Sequence, residues 1–142
     1  MWFYDVKKTF LERLPHDADL LASARDCFAR NDLRMGAFMA IGAVKRARVS
    51  FYDQARKVYI EEEIDQQAEI LSCIGNISEL DGEVFAHAHV VLSFADGTTR
   101  GGHLLEGTRV FAGELFGFAL DGEQLRRAYD PVTGLKLWKL PE

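Results

Sequence analysis

The chain has 142 residues, of which 48% are apolar and 27% are charged, a composition typical of one globular domain and unlike that of a disordered chain. Its 17 basic and 22 acidic residues give a net charge of −5, which disfavours direct DNA binding because contacts to phosphates need clustered Lys and Arg. No segment approaches the roughly 20 apolar residues of a membrane span, and the N-terminus does not resemble a signal peptide. We therefore expect no membrane association and a location in the cytoplasm.

The first predicted elements are a strand and a helix. Residues 2–10 are rich in aromatic side chains and are typical of a strand, which Pro15 ends. Asp17 is the predicted N-cap of a helix that ends near Asn31 and Asp32. The apolar residues between them have the spacing of an amphipathic helix: Leu20, Leu21, Ala24, Cys27, Phe28 and Leu33. A single helix of this kind needs a sheet to pack against.

The chain from residue 38 to residue 120 is predicted to form that sheet. Short apolar or alternating runs predict strands at 38–41, 47–53, 57–60, 67–77, 84–94, 98–105 and 108–120. Turn signals at Asp81-Gly82 and Asp96-Gly97 indicate hairpins, and hairpins imply antiparallel pairing. The predicted fold class is therefore α+β, a mostly antiparallel sheet of about seven strands with one main helix packed across it.

Residues 121–142 differ from the rest of the chain. They contain Pro131, Gly134 and Pro141 and predict a turn-rich tail, with one short element at 135–140. No internal repeat or linker divides the chain, so we expect a single domain over residues 1–142, with its core at about 4–120.

Three of the four histidines lie in two consecutive predicted strands. His87 and His89 are two residues apart, so their side chains leave the same face of one strand. The opposite face of that strand is wholly apolar and is expected to meet the helix. His103 lies in the next strand, and the intervening turn decides whether it joins the other two.

That turn allows two registers. A two-residue loop points His103 to the opposite side of the sheet from His89. A three-residue loop over 95–97, with Gly97 in the left-handed conformation, sets His89 opposite His103 and gathers three imidazoles on one face. A bulge at Gly101-Gly102 would shift the register again.

The three-residue register predicts a metal site formed by His87, His89 and His103. Three imidazoles with an open position match the ligands of catalytic zinc, and manganese, iron and nickel also accept imidazole. The expected cofactor is therefore zinc or another divalent transition metal. The alternative is a hydrogen-bonded polar cluster or a subunit interface. Glu106, three residues beyond His103, is a candidate fourth ligand or general base, and its alternative is a solvated surface position.

Several short motifs, taken in order, resemble a known family. They are Glu-Ile-Leu-Ser-Cys-Ile-Gly-Asn-Ile-Ser at 69–78, Asp-Gly at 81–82, His-Ala-His at 87–89 and Gly-Gly-His-Leu-Leu-Glu-Gly at 101–107. Together they resemble the PPC domain, which is conserved in plants and prokaryotes, over roughly residues 4–120. The resemblance implies a compact sheet with a helix across it and a homotrimer. Plant members carry a basic Arg-Gly-Arg-Pro AT-hook for DNA, and this sequence contains no such segment.

Two functional interpretations follow. The first is a homotrimeric assembly or regulatory module, whose partners are copies of itself and other proteins. The alternative is a small metalloprotein or metal-dependent enzyme that uses the three histidines, with Glu106 handling protons. The family is labelled DNA-binding because of the AT-hook of its plant members, which this sequence lacks.

Overall fold

The computed structural model describes residues 1–140. Its elements are β1 (Asp5–Leu14), α1 (Leu20–Ala29), β2 (Gly36–Asp53), β3 (Val58–Ile64), β4 (Ala68–Leu80), β5 (Glu83–Ser93), β6 (Thr99–Leu104), β7 (Arg109–Asp121), β8 (Arg127–Asp130) and β9 (Leu135–Trp138). Strands make up 63% of the protein and helix 7%, so the protein is predominantly β and the predicted α+β class is wrong.

The helix is shorter than predicted because its first turn begins later. Asp17 has a left-handed φ of 62° and does not cap the helix. Asp19 is the N-cap, and its carboxylate accepts a hydrogen bond from the backbone N–H of Ala22 at 3.0 Å. The helix ends at Ala29 and buries Leu20 and Phe28 against the sheet. The strands β2, β3 and β4, by contrast, run longer than the strands predicted from the sequence.

The longest strand, β2, joins the two strands that were predicted at 38–41 and 47–53 and continues through Gly42 between them. Its pairing shifts between Ala40 and Gly42 and again between Ala43 and Arg46, so bulges bend the strand without ending it. The first part of β2 pairs with β4 and β7, and the last part pairs with β3 and β6.

All pairings in the main sheet are antiparallel, in the order β1-β7-β2-β4-β5-β6, with β3 on β2. The end of β2 also pairs with β6, where Ser50 lies opposite His103 and Val49 opposite Leu104. This pairing closes a ring of four strands, which are β2, β4, β5 and β6. The inner face of this curved sheet holds the apolar core, and α1 packs against it mainly at β5.

The turn between β5 and β6 has three residues. The backbone N–H of Phe94 donates to the carbonyl of Thr98 at 3.0 Å, and Gly97 has a φ of 81°. His89 consequently lies opposite His103. Of the two registers that the sequence left open, the structure contains the three-residue one.

The tail forms a second, two-stranded sheet of β8 and β9. It joins the main sheet through β4, where Arg126 forms an isolated bridge with Glu79. The short element expected at 135–140 corresponds in part to β9, and Pro141 lies outside the described residues. Within residues 1–140 no helix has the length and apolar character needed to cross a membrane.

Candidate metal centre

Three imidazoles meet on the outer face of the sheet. His87 and His89 extend from β5, and His103 extends from β6. Their ring centroids are 4.8 Å apart for His87 and His103, 5.2 Å for His87 and His89, and 5.4 Å for His89 and His103. One ligand nitrogen from each ring lies within 4.8 Å of the other two.

The alternation of β5 explains why these side chains face outward. Ala86, Ala88 and Val90 are buried on the inner face, which fixes the register because a slip of one residue would expose them. On β6, Leu104 is fully buried, so its neighbour His103 faces the other way. A Cβ atom on Gly102 would lie 2.7 Å from the carbonyl oxygen of Ser50, so only glycine lets β6 approach β2 this closely.

Burial keeps two of the imidazoles neutral. Loss of water contact is the main cause that lowers the pKa of His87 from 6.5 to about 4, and the nearby His103, Arg127 and His89 lower it further. Burial likewise lowers the pKa of His103, with smaller contributions from His89 and Arg127. Near pH 7 both rings are therefore in the uncharged form that can donate a lone pair to a metal ion.

The donor set fits a tetrahedral transition-metal ion. Bonds of about 2.0–2.1 Å from zinc to imidazole nitrogens place those nitrogens about 3.4 Å apart. The nitrogens here are within 4.8 Å of one another, so the rings would have to move closer together to bind the ion. The three donors are all imidazoles, which suits zinc, copper, iron and nickel better than magnesium or calcium.

A cavity of about 580 Å³ lies beside the three rings. Its other walls are largely aromatic or aliphatic: Phe51, Tyr52, Tyr59, Phe85, Leu135 and Leu137. The ring of Tyr59 lies 5.3 Å from that of His103 and holds it from one side. The β8–β9 hairpin supplies one wall, so the tail residues form part of the site.

Arg127 is the site residue that the sequence analysis missed. Its Nη2 donates to Asn76 Oδ1 at 2.8 Å and its Nε donates to Ser78 Oγ at 2.9 Å. Its guanidinium carbon lies 5.1 Å from the centre of the Phe85 ring. These contacts join β8 to residues 49 and 51 positions earlier in the chain, so no local pattern could have indicated them.

Glu106 lies away from the three imidazoles. Its carboxylate forms an ion pair of 2.8 Å with Arg25 of α1 and is exposed. It is not part of the cavity wall. Its role as a fourth ligand or general base stays a prediction, to which this position adds no support.

Comparisons with known proteins agree with this architecture. The sequence profile of the Plants and Prokaryotes Conserved (PCC) domain, also abbreviated PPC, matches residues 3–119. No curated protein sequence matches the chain significantly.

Solved structures of similar proteins cover nearly the whole chain. A metal-containing protein from Archaeoglobus fulgidus is 39% identical, with a TM-score of 0.94 and 99% of each chain covered. A plant- and prokaryote-conserved protein from Pyrococcus horikoshii is 31% identical, with a TM-score of 0.94 and coverage of 100% of this chain and 98% of that one. A protein from Ralstonia eutropha, provisionally described as DNA-binding, is 25% identical, with a TM-score of 0.82 and coverage of 97% and 96%.

The profile match spans most of the chain and confirms the family resemblance inferred from the sequence motifs. The chain belongs to the family of Plants and Prokaryotes Conserved domains.

Proposed function

We propose that this protein binds a divalent transition-metal ion, with zinc as the first candidate, through His87, His89 and His103. The observation that carries the proposal is the meeting of three imidazole nitrogens within 4.8 Å on adjacent strands. The similar protein from Archaeoglobus fulgidus, described as metal-containing, supports it. A bound ion of this type supplies Lewis acidity and lowers the pKa of coordinated water.

The protein's own residues orient the three ligands. Strand pairing fixes the separation of His89 and His103, and the ring of Tyr59 packs beside His103. Asn76, which lies opposite His87 on β4, accepts a hydrogen bond from Arg127. Ligands held on paired strands keep their geometry better than ligands on loops.

Elemental analysis of protein purified without an affinity tag tests the proposal. We expect about one equivalent of transition metal per chain and an increase in melting temperature when zinc is restored to chelator-treated protein. His103→Ala should lose the metal. His16→Ala is the matched control, because His16 lies outside the cluster and hydrogen-bonds the carbonyl of Phe111. A wild-type protein without metal that also fails to respond to added zinc contradicts the proposal.

We propose self-assembly into a homotrimer as a second function, in keeping with an assembly or regulatory module that also binds other proteins. Exposed apolar side chains share the outer face of the sheet beside the histidines. Met39 is 43% exposed and Ile74 is 60% exposed, and Ile74 pairs with both Met39 and His89. Apolar surface of this kind is typical of an interface between chains.

Light scattering coupled to size exclusion tests the assembly. We expect a mass three times that of the 16.0 kDa chain and a shift to monomer in Ile74→Lys. Val132→Lys, which changes an exposed apolar residue of the tail, should remain a trimer. A wild-type monomer at micromolar concentration excludes this assembly.

Direct DNA binding is not part of the proposal. The net charge of −5 opposes it, although one similar protein is provisionally described as DNA-binding. Retention of the protein on DNA at low salt, with a steep loss as salt rises, would revive that function. The cytoplasm remains the expected location, which cell fractionation can test.

A further inference from the structure

The cavity beside the histidines has an unbalanced positive charge. Its described walls include Arg127 and Lys136 but no aspartate or glutamate. Lys136 is compensated by Asp81, 3.3 Å away. A divalent ion on three neutral imidazoles would add two further positive charges.

Arg127 has only neutral hydrogen-bond partners among residues 1–140. Its Nε donates to Ser78 Oγ, its Nη1 to the carbonyl of Lys136 and its Nη2 to Asn76 Oδ1. A guanidinium has five N–H donors, so each terminal nitrogen retains one that these bonds do not use. The group is half-buried and stays charged, and a charge in this setting is stabilised by an anion that accepts from both terminal nitrogens.

Ser50 provides an independent sign of a ligand. It lines the same cavity, is 3% exposed, and lies opposite His103 in the pairing of β2 with β6. Its hydroxyl has no hydrogen-bond partner among the described residues. A buried hydroxyl without a partner is costly, and a polar atom of a bound molecule would satisfy it.

The other walls of the cavity indicate the chemistry of the rest of the bound molecule. Phe51, Phe85, Leu135 and Leu137 surround the cationic end with apolar surface. The volume of about 580 Å³ is that of a site for a small organic molecule rather than for an inorganic anion.

We propose that this cavity binds small carboxylates with an aromatic or apolar body. Arg127 would hold the carboxylate at the cationic end of the cavity, and the body would contact the apolar walls. The inference rests on the metal binding proposed above.

Calorimetric titration with two probes of the same shape tests it. Phenylacetate carries the carboxylate, and phenylacetamide replaces it with a neutral amide. With zinc-loaded wild-type protein we expect phenylacetate to bind at least about tenfold more tightly, because an ionic hydrogen bond is worth about twice a neutral one. Arg127→Gln should remove this preference. Arg126→Gln is the matched control, since the neighbouring Arg126 is exposed and pairs with Glu79 outside the cavity.

Zinc content measured before each titration separates the two proposals. Full zinc occupancy with equal affinity for both probes, or with binding of neither at millimolar concentration, overturns the carboxylate inference and leaves the metal site intact. Failure of the wild-type protein to bind zinc refutes the metal site and the carboxylate inference together. If Arg127→Gln does not fold, Ser50→Ala serves as the second variant, and it should weaken phenylacetate several-fold while keeping the metal.

Discussion

Lowering the pH should destabilise the metal-free protein, because His87 is buried in its uncharged form. The folded-state pKa of this histidine is about 4, against 6.5 for the free side chain. Between about pH 6.5 and pH 4 the folded protein therefore binds fewer protons than the unfolded chain. The contribution of His87 to the free energy of unfolding is complete above about pH 6.5 and is lost as the pH falls towards 4. The difference between the two pKa values corresponds to at most about 3 kcal/mol of the free energy of unfolding. Water reaches the half-buried ring, so we expect about 1–2 kcal/mol in practice.

Urea unfolding of chelator-treated protein measures this loss. We expect the free energy of unfolding to fall by about 1 kcal/mol more in the wild type than in His87→Gln between about pH 7 and about pH 5. Between about pH 7 and about pH 8 the two proteins should change in parallel, which is the internal control. Equal losses in both proteins, or an NMR titration that places the pKa of His87 at or above 6.5, would refute the reasoning.

Three further predictions concern the packing that supports the site. Gly75→Ala should cost about 1–3 kcal/mol in urea unfolding, because the added Cβ would lie 2.3 Å from the fully buried ring of Phe38, and an unchanged midpoint would contradict this packing. Leu104→Ala should cost about 2–5 kcal/mol by the same measurement, since Leu104 is fully buried beneath the histidines, and a loss below 1 kcal/mol would mean that the core collapses around it. Asp19→Ala should cost about 1 kcal/mol and lower the helical circular dichroism signal, whereas Asp17→Ala should leave that signal unchanged.

The three-histidine cluster was largely predictable because its determinants are local. The two-residue spacing of His87 and His89 fixes their common face once β5 is recognised. The position of His103 depended on one turn, and the conformational freedom of Gly97 favoured the register that the structure contains. Each step used residues that are neighbours in sequence or across a single hairpin.

The strand at Gly42 was harder to interpret, because a glycine can end a strand or form a bulge within it. Here Gly42 has a φ of 131°, and a Cβ atom on it would lie 2.2 Å from the carbonyl oxygen of Ala112. The backbone of β7 therefore passes too close for any other residue. That approach depends on a strand about 70 positions later in the chain, which no local pattern encodes. The α+β class was wrong for a related reason: the predicted helix was too long, and the strands predicted in the region of β2, β3 and β4 were too short.

The three histidines proposed to bind the metal and the arginine proposed to bind the ligand's carboxylate lie in different segments of this protein. The three histidines lie within residues 3–119, the part that matches the family profile, and are held by paired strands. Arg127 and the apolar wall from Leu135 to Leu137 lie on the β8–β9 hairpin, beyond that match. Changes in the hairpin can therefore alter the charge and shape of the cavity, while the strand pairing that sets the backbone positions of the three histidines stays in place. The same metal site would then serve different ligands, because the hairpin contacts the outer face and contributes no residue to the main core cluster.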